Sequence, residues 1–244
     1  MNDRTEFTYG FDLLRESARQ RLSSVITDEL DRRFYEAVAT MDPPITADLY
    51  LTCFCEEGDL LSQWRGYGAQ DSRYCIQFDS AGLRGLHPTV SPLVQVIYNR
   101  TLQSEIVSDL LTRHVDGFAL LKAMAMDIES VIPMALWCIY TCALLAFGMF
   151  KDWSFREERE WRAILFVQPG EKTSDLDFAS ANGLVKPFIP LLSGTGTDKH
   201  LPISLVIAGA PRVEAQAIKA AELMLYKFGY ASVSVQRSNV PLSG

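Results

Sequence analysis

The sequence predicts an α/β protein of the α+β kind, with a single mixed sheet flanked by several helices, and three observations carry that reading. Short runs rich in aromatic and branched residues recur at 49–55, 74–78 and 161–167, each bounded by turn-forming or polar residues. Apolar residues at helical spacing fill 11–39 and the long stretch 102–150. The closing segment reads as a strand at 205–208, a helix at 214–228 and a strand at 232–236. In 244 residues with 48% hydrophobic content there is material for one sizeable core. With neither an internal repeat nor a linker rich in Gly, Ser or Pro, a single domain over 1–244 is expected.

Taken in order, Leu13, Leu14, Ala18, Leu22, Val25, Ile26, Leu30 and Phe34 line one face of an amphipathic helix with one break. Asp42-Pro43-Pro44 ends it, because proline excludes the preceding residue from the helical region and cannot extend the ladder. The strand at 49–55 follows, and Gly58-Asp59 opens a short helix through Leu61 and Trp64 with Asp59 as its cap, closed by Gly66 and Gly68. Strands at 74–78 and 93–98 come next, then two helices across 102–150 that meet near Pro133. After the strand at 161–167 come a Gln168-Pro169-Gly170 turn, a polar loop over 171–182 and a strand at 186–192. Gly229 ends the last helix as a left-handed cap.

The net charge of −7 and pI near 5.0 oppose a phosphate-tracking surface, so nucleic acid is not expected as a partner. Five cysteines with no C-x-x-C fit reduced thiols and a cytoplasmic location. Cys53 with Cys55 and Cys138 with Cys142 raise a four-thiolate metal site, but ordinary core cysteines are the stronger reading and no metal is expected. Met1 is followed by polar residues, so a secretory leader is not expected. The run 131–150 holds no charge over a membrane's thickness. Pro133, Tyr140, Thr141 and the absence of flanking basic clusters favour a helix buried on all sides against the sheet, and no membrane. His87, His114 and His200 stand in dissimilar contexts and are expected at the surface. Gly194-Thr195-Gly196-Thr197 lacks the Gly-Lys-Ser/Thr end of a phosphate loop and reads as a turn, which Lys199 does not change.

Several segments together resemble the bacterial domain-of-unknown-function family 2971. They are Cys53-Phe-Cys55-Glu56, the Asp59-Leu-Leu-x-x-Trp64-x-x-Tyr67 run, the strand 74–79 ending Phe78-Asp79, the Glu158-Arg159-Glu160-Trp161-Arg162 signature, and Arg237-Ser238-Asn239-Val240-Pro241. Cys55 stands where the family often has Ser, and Leu-Ser-Gly replaces its closing Tyr-Arg. Met1-Asn2-Asp3-Arg4-Thr5-Glu6-Phe7 is similar to a family segment that in relatives follows an opening strand and helix, so an N-terminally shortened chain is expected. A missing first strand would leave an open sheet edge, which favours a homodimer.

By fold-level analogy, the resemblance implies an NAD-using enzyme, similar to an ADP-ribosyltransferase or an NAD glycohydrolase, with a defence role. Glu160 or Glu158 would then steady an oxocarbenium-like ribosyl centre, Trp64 and Tyr67 would stack on nicotinamide, and Arg65 or Arg162 would hold pyrophosphate. NAD would be substrate rather than resident cofactor. Asn2, Asp3 and Glu6 are candidate ligand contacts, although helix capping suits Asn2 and Asp3 better. The alternative is a noncatalytic sensing or protein-interaction module, in which Glu158, Glu160 and Arg162 form an ion-pair network and Trp64 and Tyr67 anchor a helix.

Overall fold

The structure is a computed structural model that describes residues 4–42, 49–67, 74–83, 92–124, 126–167, 176–181, 183–190, 200–209 and 214–240. In chain order the elements are α1 Arg4–Leu22, α2 Glu29–Thr40, β1 Leu49–Cys55, α3 Leu61–Gly66, β2 Tyr74–Phe78, α4 Ser80–Leu83, β3 Val94–Gln95, α5 Arg100–Ala123 and α6 Ile128–Phe147. They continue with a 3-10 helix Trp153–Glu158, β4 Glu160–Phe166, β5 Asp177–Ala181, β6 Leu184–Phe188, β7 Ile203–Ala208, α7 Glu214–Lys227 and β8 Ser234–Arg237. The α+β class is as the sequence predicts. Among the described residues, however, the strands divide among three small sheets, ordered β1-β4-β3, β2-β7-β8 and β5-β6, instead of forming one mixed sheet.

By its internal contacts the chain falls into two compact units. The first comprises Met1–Cys53, Val94–Glu157 and Trp161–Thr173. Its core is helical: Phe11, Leu14 and Ala18 of α1, Phe34 and Val38 of α2, Val107 and Leu111 of α5, and Ile139, Leu144 and Phe147 of α6 are all buried together. The break expected in the first helix falls at 23–28. Ser23 and Ser24 turn their hydroxyls back onto the carbonyls of Gln20 and Arg21 (2.7 and 2.6 Å), which competes with the helix. Asp28 then caps α2 by accepting the Leu30 and Asp31 amides. Val25 sits in this break and is 94% exposed, so it does not continue the apolar stripe.

α6 begins five residues before Pro133, so the two central helices part near 124–127 and the proline lies inside α6. Pro133 is exposed, where the carbonyl it leaves without an intrahelical partner can be hydrated. α6 is long and apolar enough to cross a membrane by length and composition. In the fold, Val131, Ala135, Ile139, Ala143 and Phe147 pack into the helical core while Met134, Trp137, Cys138, Cys142 and Leu145 face outward, so the helix is not buried on all sides. Gly10 lets α1 cross it closely, since a Cβ there would lie 2.3 Å from Cγ of Phe147. Just past its end, a Cβ on Gly148 would meet Leu49 and Ile164 of the β1-β4-β3 sheet, each at 3.3 Å.

The second unit comprises Phe54–Leu93, Glu158–Glu160 and Ser174–Gly244. Its sheet is mixed: β2 runs antiparallel to β7 from Tyr74↔Ala208 to Phe78↔Ile203, and β7 runs parallel to β8 from Leu205↔Ser234 to Ala208↔Arg237. α7 makes the crossover a parallel pair requires. Gly229 has φ +84° and ends that helix as expected. The loop expected at 171–182 instead contains β5, which forms a hairpin with β6 across Gly183 at φ +76°. The strand read at 93–98 shrinks to β3 with an isolated bridge at Ile97, and the one read at 186–192 forms earlier as β6. His114 is half-buried and stacks on Phe34, and His200 packs its ring against Tyr230. Gly68, His87, the 168–170 turn and the 194–199 segment lie outside the described residues.

Candidate functional site

Most of the segments by which the chain resembles a family lie in the second unit, although Cys53, Trp161 and Arg162 belong to the first, and Asp59 ties two of them together. The sequence casts Asp59 as the cap of α3, but Leu60 occupies the cap position and makes no side-chain cap. Asp59 Oδ1 instead accepts the Trp64 indole N–H at 2.7 Å and the Ser238 hydroxyl, while Oδ2 accepts the Asn239 amide at 2.7 Å. Ser238 is itself buried; its amide donates to the Ala208 carbonyl and its Oγ accepts from the Val240 amide. One carboxylate thus ties α3 to the segment after β8, across nearly 180 residues of sequence. Burial pushes the Asp59 carboxyl upward, but the Ser238 hydroxyl, the indole and the Asn239 amide together hold it below the usual range. The strand 74–78 joins the same region. A Cβ on Gly58 would meet the Cys75 sulfur at 3.3 Å, and burial together with the Asp59 charge pushes the Cys75 thiol up.

The Glu158-Arg159-Glu160 segment enters through its backbone. Arg159 has φ +42°, a left-handed conformation that costs a non-glycine residue on the order of 1–2 kcal/mol. This inflection separates the 3-10 helix from β4: Arg159 faces solvent while Glu160 is only 2% exposed. Arg159 Nη1 lies 3.6 Å from Glu57 and 3.9 Å from Glu56, joining this signature to the end of the first motif. Both carboxylates are largely exposed, so these pairs contribute little stability and serve as surface charge.

The remaining predicted site residues separate into interior and surface sets. Trp64 is 4% exposed, and its indole N–H is committed to Asp59. Arg65 is exposed beside it and Tyr67 is 59% exposed. Glu158 is half-buried at the end of the 3-10 helix. Arg162 lies in the first unit, 1% exposed, and its Nη1 donates to the Gly148 carbonyl at 2.8 Å. There the cation meets the negative end of the α6 dipole, a structural use of the guanidinium. Asn2 and Asp3 lie outside the described residues, as does the side chain of Glu6, whose backbone belongs to α1.

Asp59 as a junction, Ser238 and Arg159 are what sequence reasoning missed. The long-range partners of Asp59 leave no local trace, whereas the flanking of Arg159 by two carboxylates inside a signature was a visible cue. Among the described residues no three His, Cys, Asp or Glu side chains gather to hold a metal. The second unit thus exposes the Glu56, Glu57 and Arg159 charges together, and Arg65 and Tyr67 are exposed in and just after α3.

No curated protein and no solved structure matches the chain. A family model does match, over residues 63–163, and its range takes in Trp64, Tyr67, the 74–79 strand and the whole Glu158–Arg162 signature. That stretch matches the model of the family described as protein of unknown function (DUF2971), the family its motifs resemble.

Proposed function

We propose that this chain is a noncatalytic sensing or protein-interaction module whose motif residues build a frame and whose exposed residues meet a partner. The observation that supports this best is the inward placement of Glu160 and Trp64, since a ribosyl-transfer carboxylate and a stacking ring must touch a solute and these two are almost wholly covered. The partner is a protein surface, a second copy of the chain included, and nucleic acid is not among the expected partners of so acidic a chain. Five cysteines held as thiols and not as disulfides support a reducing, cytoplasmic setting.

A second reading, an NAD-using enzyme similar to an ADP-ribosyltransferase or NAD glycohydrolase in bacterial defence, is favoured by one observation. The left-handed Arg159 sits between Glu158 and Glu160, and backbone strain of this kind gathers at functional sites. In it Glu158 or Glu160 would be the carboxylate, Tyr67 the stacking ring, Arg65 the pyrophosphate contact, and NAD the substrate. A thermal-shift titration with NAD separates the two, because a native-state ligand raises stability by RT ln(1 + [L]/Kd). The module reading expects no saturable shift and a lowered melting temperature for Glu160→Gln. A saturable NAD shift that disappears on changing Tyr67 and Arg65 to Ala would overturn it.

A further inference from the structure

Cysteine is among the most often buried residue types, yet Cys138 and Cys142 both lie exposed as free thiols one helical turn apart on α6. Met134 stands a further turn toward the N-terminus on the same outward face. Three sulfur donors therefore follow one another at i, i+4 and i+8 along a helix that carries no charged side chain between Val131 and Phe147.

We propose that this face of α6 is a binding site for a soft monovalent d10 metal ion of the Cu(I) class, with the Cys138 and Cys142 thiolates as ligands and the Met134 thioether as a supporting donor. Side chains at i and i+4 have Cβ atoms about 5–6 Å apart, whereas a disulfide needs about 3.8 Å. The helix therefore holds the pair apart as a dithiol. A metal–sulfur bond of about 2.3 Å places two sulfurs on opposite sides of one ion about 4.6 Å apart, a span the i,i+4 spacing can supply. Thiolate and thioether select soft ions, and such an ion is satisfied by two thiolates. Among the described residues no third His, Cys, Asp or Glu joins the pair, so the tetrahedral set that zinc requires is not assembled there. Binding releases two protons, one from each thiol, and leaves a bis-thiolate complex of net charge −1 with no change of oxidation state.

The test is anaerobic competition of the reduced, full-length protein with a chromogenic Cu(I) chelator, supplying Cu(I) alone. The expected result is removal of one Cu(I) per chain, lost in both Cys138→Ser and Cys142→Ser, weakened in Met134→Leu, and retained when Cys53, Cys55 and Cys75 are all changed to Ser. Far-ultraviolet circular dichroism establishes that each variant keeps its helices. Because both serine changes fall at exposed positions, folding survives them. Retention of stoichiometric Cu(I) by the folded Cys138→Ser, Cys142→Ser double variant overturns the assignment. Equal competition by Zn(II) for the same two thiols overturns the selectivity.

Discussion

Removing the Asp59 carboxylate tests the junction that joins the motif segments. In Asp59→Ala the buried Trp64 indole loses its acceptor, and a buried donor left unpaired costs about 1–3 kcal/mol. The Ser238 hydroxyl loses a charge-assisted bond but can rotate toward another acceptor, adding roughly 1 kcal/mol. The Asn239 amide belongs to an exposed residue and can be hydrated, so its loss adds little. Simple addition gives about 2–4 kcal/mol, an upper figure because the three bonds share one carboxylate. Urea unfolding of Asp59→Ala, Trp64→Phe and the double variant measures the coupling, expected at about 1–2 kcal/mol; Phe removes the donor and part of the indole, and the cycle cancels the lost packing. Hydrogen exchange should quicken in 61–66 and 234–240 together. A change below about 0.5 kcal/mol, the level of an ordinary surface substitution, or a strictly additive cycle would refute the junction. The pH dependence has a fixed sign. The folded carboxyl is depressed, so its contribution is fully present above the unfolded value of about 3.9 and is lost as pH falls through the folded value. Asp59→Asn should therefore differ most from the parent near neutrality and converge with it in acid.

Three further expectations use other parts of the molecule. Gly10→Ala forces a methyl against the Phe147 ring and should destabilise the first unit by about 1–3 kcal/mol or more, read by urea unfolding; a neutral result would mean the α1–α6 crossing is looser than described. Cys75, whose thiol is pushed up by burial and by the Asp59 charge, should alkylate more slowly at pH 8 than Cys138, and peptide mass spectrometry of a time course ranks the two. Arg162→Met removes the donor to Gly148 and the charge at the α6 terminus, and should lower stability by about 2–4 kcal/mol without changing the oligomeric state seen by light scattering.

What the sequence disclosed was governed by local rules. β1 and β2 appear at the residues their aromatic and branched content marks, and the β7–α7–β8 unit with its Gly229 cap follows from periodicity and one conformational constraint. β5 was hidden because Asp177-Phe-Ala-Ser-Ala181 has small and polar residues where alternation would show, and its strand identity comes from pairing with β6. Pro133 looked like a helix boundary, yet its exposed side of α6 tolerates it. The charge-free run 131–150 could not show that only one face of α6 is buried, since every residue on it is apolar or neutral. The site divides in the same way. The motif residues could be named from spacing, but burial of Glu160, Trp64 and Arg162 depends on contacts far along the chain.

The most direct test of the frame reading is nicotinamide release from NAD, followed by chromatography over many hours with the parent chain and with Glu158→Gln and Glu160→Gln. No release above the protein-free rate by any of the three, with Glu160→Gln less stable than the parent, is the expected result. Steady release by the parent that either substitution abolishes while leaving the melting temperature unchanged would make these carboxylates catalytic and contradict the account.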